Sequence, residues 1–176
     1  VTLLALLAAL CCFLTVTAGA EAAIVDSGTC GENLTWTLDG EGTLRIAGEG
    51  AMGEYSTPWK QSRDNIKTVV IERGVTAIGG NAFRDCSILT SVTFAGDSQL
   101  TIVGNYAFCD CSSLTNHTIP ESVTTIGNSA FRNCSILTGV TFVGQSQLTT
   151  IGNYAFYNCS DLVGITIPEG VTAIDG

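Results

Sequence analysis

Ile126–Cys134 reads IGNSAFRNC, and the same pattern returns at Ile78–Cys86, Val103–Cys111 and Ile151–Cys159. With its flanks the unit is L-T-x-V-T-F/I, a turn, then V/L-T-x-I-G-x-x-A-F-x-x-C-S. Its leading apolar residue falls at Ile66, Leu89, Leu114, Leu137 and Leu162, so successive spacings alternate 23, 25, 23 and 25 residues. A fixed period of this length marks a solenoid, because one such unit cannot bury its own apolar face and must stack on the next. Function in such a fold is carried by its surface.

Within each unit the first, fourth and sixth positions of the leading segment are apolar: Ile66, Val69, Ile71; Leu89, Val92, Phe94; Leu137, Val140, Phe142; Leu162, Ile165, Ile167. That spacing predicts a strand with those side chains inward. A second extended segment follows the turn, with inward pairs at Val75 and Ile78, Val123 and Ile126, Leu148 and Ile151, and Val171 and Ile174. The Ala-Phe-x-x-Cys run then predicts about one helical turn, with Ala, Phe and Cys toward the core. His117 occupies an inward position filled elsewhere by Val or Ile. It is expected to be buried, with desolvation lowering its pKa.

Residues 21–65 lie outside the repeat. Leu34, Trp36 and Leu38 alternate with Thr35 and Thr37, Asp39-Gly40-Glu41-Gly42 supplies a turn, and Leu44 and Ile46 resume the alternation. This reads as a β-hairpin with one apolar face. It suits a cap, since the first rung of a solenoid exposes an apolar cross-section and an unpaired strand edge. Pro58-Trp59 and Lys60–Asp64 predict a short helical turn, with Trp59 packed against the cap in preference to serving as a platform for a sugar. Residues 1–20 carry no charge and end in Ala18-Gly19-Ala20, which fits a truncated signal peptide; the competing reading is a membrane anchor. Residues 66–176 are the repeats, the last of them incomplete.

The net charge is -9, and beyond Asp85 the only Lys or Arg is Arg132, so a nucleic-acid partner would meet repulsion. Of the eight cysteines, Cys11 and Cys12 fall in the leader, while Cys86, Cys111, Cys134 and Cys159 share one repeat position. Side chains stacked in parallel stay about 4.8 Å apart, too far for the ~3.8 Å between Cβ atoms that a disulfide needs. Buried free thiols are therefore expected. Cys109 sits where other units carry Arg84, Arg132 and Tyr157 and is expected outward; with Cys30 it is the thiol expected to react or pair. Cys109, Cys111 and His117 lack the ligand number and spacing of a zinc site. The sequence presents no catalytic constellation and calls for no cofactor.

The strings TIPESVTTIGNSAFRNCSILTGVTF and ITIPEGVTAIDG resemble the BspA-like leucine-rich repeats of host-associated microbes, and SGTCGENLTWTLDGEGTLRIAGEGAM resembles the segment that often precedes them. The resemblance implies a mainly β, right-handed leucine-rich-repeat solenoid with short helical turns and an N-terminal hairpin cap. It also implies a secreted or cell-surface protein among relatives that include adhesins for host matrix proteins, and it brings no catalytic residues. Alternate units differ: the 25-residue ones carry F-A/V-G-D/Q-S-Q-L where the 23-residue ones read I-P-E-S/G-V or, in the first, I-E-R-G-V.

Outward positions of the leading strands include Thr90, Ser91 and Thr93; Thr115, Asn116 and Thr118; Thr138 and Thr141; and Thr166. This face is small, polar and almost uncharged. Five strands at ~4.8 Å per rung span about 20 Å, a modest patch for a protein or glycan at a cell surface or matrix. Binding there is expected to change little with salt. Membrane attachment would require an N-terminal anchor or one beyond the repeats. Two alternatives compete: a non-catalytic accessory region of a larger secreted or surface enzyme, and an ice-binding surface built from Thr ladders.

Overall fold

A computed structural model describes residues 22–175; the signal peptide expected at 1–20, with Cys11 and Cys12, lies outside them. Three antiparallel strands open the fold: β1 (Ile24–Thr29), β2 (Leu34–Asp39) and β3 (Thr43–Gly48). The expected hairpin is β2 and β3, and β1 adds a third strand. A short β4 (Gly50–Ala51) and a 3-10 helix at Lys60–Asn65 lead into the repeats. The leading strands are β5 (Thr68–Ile71), followed by its second-segment strand β6 (Val75–Ile78), then β7 (Ser91–Phe94) followed by β8 (Ile102–Val103). The next rungs contribute β9 (Asn116–Ile119) and β10 (Thr125–Ile126), then β11 (Gly139–Phe142), β12 (Thr150–Ile151) and β13 (Ala173–Ile174). The result is a parallel β-solenoid.

The cap does what the first rung requires. Strand β3 pairs in parallel with β5, Leu44 beside Val69 and Ile46 beside Ile71, so the sheet edge is covered. Trp59 occupies the ring position of the repeat phenylalanines, its indole N–H donating to Ala82 O at 2.7 Å. From Trp59 the stack runs through Phe83, Phe108, Phe131 and Phe156, with centroids 5.2–5.4 Å apart at each step. Trp36 closes the column edge-on at 5.7 Å. Trp59 is therefore packing, as expected.

Second-segment strands pair at every rung in the order β13-β12-β10-β8-β6-β4. The Ala-Phe-x-x-Cys runs continue this ladder, with Phe83 N donating to Ala107 O, Phe108 N to Ala130 O and Phe131 N to Ala155 O, all within 2.8 Å. These runs are tighter than the helical turn expected of them. Two residues per run take positive φ, such as Asn81 at 59° and Asp85 at 61°, a conformation no α-helix contains. Successive reverse turns, closed by bonds such as Cys86 N to Phe83 O, leave alternate N–H groups free to bond the next rung. Backbones approach so closely here that a Cβ at Gly104 would lie 2.7 Å from Ile78 O, which accounts for the glycine of the I-G pair.

The leading strands behave differently. They divide into β1-β2-β3-β5-β7 and a separate pair, β9 with β11, with no strand pairing between β7 and β9. The cause is readable in the chain. Each paired leading strand hands on one bond just past its end: Glu72 N to Ile46 O, Ala95 N to Ile71 O and Val143 N to Ile119 O. At the equivalent positions behind β9 and in the last rung stand Pro120 and Pro168, which have no N–H to give. The leading side therefore opens after each 25-residue unit, and the face is not one sheet of five strands.

His117 lies beside this break, inward and 2% exposed. It packs among Phe94, Phe108 and Phe131 at 4.8–5.8 Å, and neither ring nitrogen has a partner among the described residues. Burial pushes its pKa down from 6.5 to about 3. The unfolded chain gains this proton near pH 6.5 and the folded chain resists it, so the stabilisation is complete above that pH and lost as pH falls toward about 3. Between pH 7 and 5 the protein is predicted to lose about 2 kcal/mol of unfolding free energy through this group. Denaturant titration of His117→Val at the two pH values checks it, the variant losing that dependence. Deleting Leu34–Ile46 is predicted to uncover β5 and cause aggregation, read by light scattering and thermal melting.

Candidate interaction face

Of the outward residues anticipated from the sequence, Thr90, Thr93, Thr115, Asn116, Thr118, Thr138, Thr141 and Thr166 are exposed and Ser91 is half-buried. Register places Thr118 beside Thr141 and Asn116 beside Gly139, while Thr93 stands beside Val70 of the preceding strand. The face therefore exists, but Thr93 and Thr118 are on opposite sides of an open seam. The anticipated flat array is two strips.

Each seam is a cleft. The first, about 780 Å3, lies between β7 and β9 and is bordered by Thr93, Phe94, Thr118, Pro120 and Glu121. The second, about 620 Å3, lies beyond β11 and is bordered by Thr141, Phe142, Thr166, Pro168 and Glu169. Those five border positions correspond one to one at an offset of 48 residues. The longer turn supplies the outer wall of each through Ser98 and Ser146. The sequence reading identified these turns and prolines as departures but did not foresee a cleft between them; the signal was the coincidence of a proline with a neighbouring long unit.

The Thr residues of the second segment are engaged in structure. Thr101, Thr124, Thr149 and Thr172 each donate a hydroxyl to the carbonyl of the Thr one rung back, at 3.0–3.4 Å. They cap the ladder and do not present a free hydroxyl array. On the turn side, Tyr106 and Tyr154 are exposed at φ 57°, an unusual conformation for an aromatic residue. Arg84 lies over the Tyr106 ring at 5.7 Å and Arg132 over Tyr157 at 5.3 Å.

The cysteine expectations divide. Cys86, Cys111, Cys134 and Cys159 are buried free thiols, as anticipated, and three of them donate to a Phe carbonyl of an earlier rung at 3.1–3.2 Å. Cys109, expected outward, and Cys30, expected with it to react or pair, are buried too, at 3% and 2% exposure. Cys109 is outside the apolar core, but its short side chain lies in a ladder between the longer Arg84 and Arg132, with Asp110 Oδ2 3.0 Å from its sulfur. Burial pushes the thiol up to about 12 for Cys109 and about 11 for Cys30, which disfavours the reactive thiolate. Native protein is predicted to react slowly with a thiol reagent at all six described cysteines and rapidly once denatured without reductant, as counted by mass spectrometry.

Among the described residues no group of His, Cys, Asp and Glu is placed to hold a metal ion, and no helix is long and apolar enough to cross a membrane. The BspA type leucine rich repeat region matches residues 60–176 in six copies. Among solved structures, the chain is similar to a leucine-rich repeat protein from Eubacterium ventriosum at 33% identity, covering 84% of this chain and 40% of that one, with a TM-score of 0.69. The pneumococcal vaccine antigen PcpA matches at 20% identity over 86% of this chain and 46% of that one, TM-score 0.62. The T. pallidum leucine rich repeat protein TpLRR matches at 18% identity over 78% and 81%, TM-score 0.52. These last two likenesses show the fold. The chain spans less than half the length of the first two proteins. No curated protein matches it. The repeat match, the solenoid and the Eubacterium likeness agree: the chain belongs to the BspA-type leucine-rich repeat family.

Proposed function

We propose that this chain is a secreted or cell-surface interaction module that binds a protein or glycan partner through the leading-strand side of its solenoid. The observation that carries this reading is the exposed strip of Thr and Asn side chains on β7, β9 and β11, small and free of charge. Repeat proteins of this family are generally non-catalytic. The apolar leader ending in Ala18-Gly19-Ala20 supports export. Each rung offers only a few contacts, so affinity comes from engaging several rungs at once.

The Thr strips are a better candidate than an ice-binding array, because the more regular Thr ladder spends its hydroxyls on the preceding rung. Thr93, Thr118 and Thr141 are the residues to test. Replacing all three with Lys places bulky charges at both strips and is predicted to reduce binding to surface-immobilised matrix proteins or glycans by roughly tenfold or more. Surface plasmon resonance against a panel of such ligands reads the effect. Undiminished binding to every ligand would move the contact off this face.

A further inference from the structure

The two clefts are equivalent by sequence offset, by lining and by cause, which makes them a repeated binding site with a two-rung period. Their charge is specific. Neither lining contains a Lys or Arg. Glu121 and Glu169 stand at the same repeat position, both exposed and without a cationic partner among the described residues. In the first unit that position is Arg73, which pairs with Asp97 at 2.9 Å. There the protein supplies its own cation; at the next two occurrences it presents a carboxylate and no counter-charge. The Glu121 carboxylate lies against Gly144, where φ is 61° and no side chain intervenes.

The lining beside each carboxylate is a half-buried phenylalanine, Phe94 or Phe142, with hydroxyls from Thr and Ser. An aromatic surface next to an unpaired carboxylate suits a long cationic side chain, whose stem packs on the ring while its head meets the charge. Successive clefts are two rungs apart, roughly 10 Å at ~4.8 Å per rung. A polyproline II chain advances ~9.3 Å in three residues and returns every third side chain to the same face. Such a chain also leaves its carbonyls unbonded, available to the Thr hydroxyls. We propose that the clefts bind an extended polypeptide in the polyproline II conformation, with Lys or Arg at every third residue, lying across the strands along the solenoid axis. This rests on the preceding reading of the leading side and narrows its partner to a basic polypeptide.

The test uses the whole chain and labelled synthetic peptides in fluorescence anisotropy. A Pro-Pro-Lys repeat is the probe; a Pro-Pro-Glu repeat, a peptide of the same composition with shuffled lysines, and a neutral linear oligosaccharide are the controls. The Pro-Pro-Lys repeat is expected to bind, to weaken with added salt, and to exceed every control. The exposed pair Glu121→Gln and Glu169→Gln is expected to weaken it roughly five- to tenfold. Pro120→Ala with Pro168→Ala restores two ladder donors without adding charge and is expected to close the clefts with a similar loss. Binding that ignores salt and both variant pairs overturns the proposal, as does equal binding of the shuffled peptide or preference for the oligosaccharide. If no peptide binds while the matrix or glycan panel still depends on Thr93, Thr118 and Thr141, this inference fails and the broader reading stands.

Discussion

The molecule depends on one edge being bonded at every rung. Along the turn side, backbone bonds join each rung to its neighbours: at the short strands Gly104 N donates to Ile78 O and Gly127 N to Val103 O of the preceding rung, while the Ala-Phe-x-x-Cys turns donate to the next rung. The phenylalanine column stands directly behind this ladder, and its near-parallel rings, within 14° at each step from Trp59 to Phe156, repeat the rung spacing in the core. Stacked aromatic pairs contribute about 0.5–1.5 kcal/mol each beyond the burial of their area. Backbone and core thus enforce the same register, so a slip of one residue would break both at once. That redundancy is what allows nine non-glycine residues, mostly in these turns, to be held at positive φ.

A solenoid pinned along one edge is free to vary along the other. The leading strands need not pair at every step, since their inward side chains remain covered by rungs already in register. Alternation between 23 and 25 residues uses this freedom: a proline removes a ladder donor, the neighbouring unit lengthens its turn, and the sheet parts. The structural repeat is one rung, whereas the surface repeat is two. Any ligand that reads this surface reads the longer period.

Much of this was legible in the sequence. The 3-residue and 2-residue offsets among Ile66, Val69 and Ile71 and their equivalents defined the buried side of the strands from β5 to β11, and that logic carried His117 inward despite its polarity, whereas Ile167 and Ile174, also assigned inward, are exposed at 36% and 61%. Trp36 and Trp59 were assigned to the cap from position alone. What escaped the reading depended on neighbours one rung away. Strand β1 has exposed residues on both faces and no alternation to reveal it. Cys109 is covered by side chains about two dozen residues before and after it, which no local pattern reports. The Ala-Phe-x-x-Cys run has helical spacing of its apolar residues, but its alternate N–H groups are claimed by the adjacent rung, and that competition selects turns. The sheet break likewise needs the pairing partner of residue 120 to be known before the missing donor has meaning.

Opening the seam also changes what the exposed hydroxyls can do. Across paired steps the first Thr of the leading segment turns back into the structure, Thr90 donating to Lys67 O and Thr138 to Thr115 O, both at 3.0 Å, whereas Thr141, on a paired strand, donates to no described residue. Thr115, at the same repeat position but facing the unpaired step, donates to no described residue, and neither does Thr118 beside it. Exposure therefore does not measure availability, because a Thr at this position on a bonded rung is engaged by the rung behind it, as Thr90 and Thr138 are. The proline at 120 removes one backbone bond at a step where the equivalent Thr115 hydroxyl is left free. Thr118, with its hydroxyl also unengaged, lies on the wall of the first cleft beside the uncompensated Glu121 carboxylate, so binding capacity on this side should concentrate at the seams and not spread evenly over the strands.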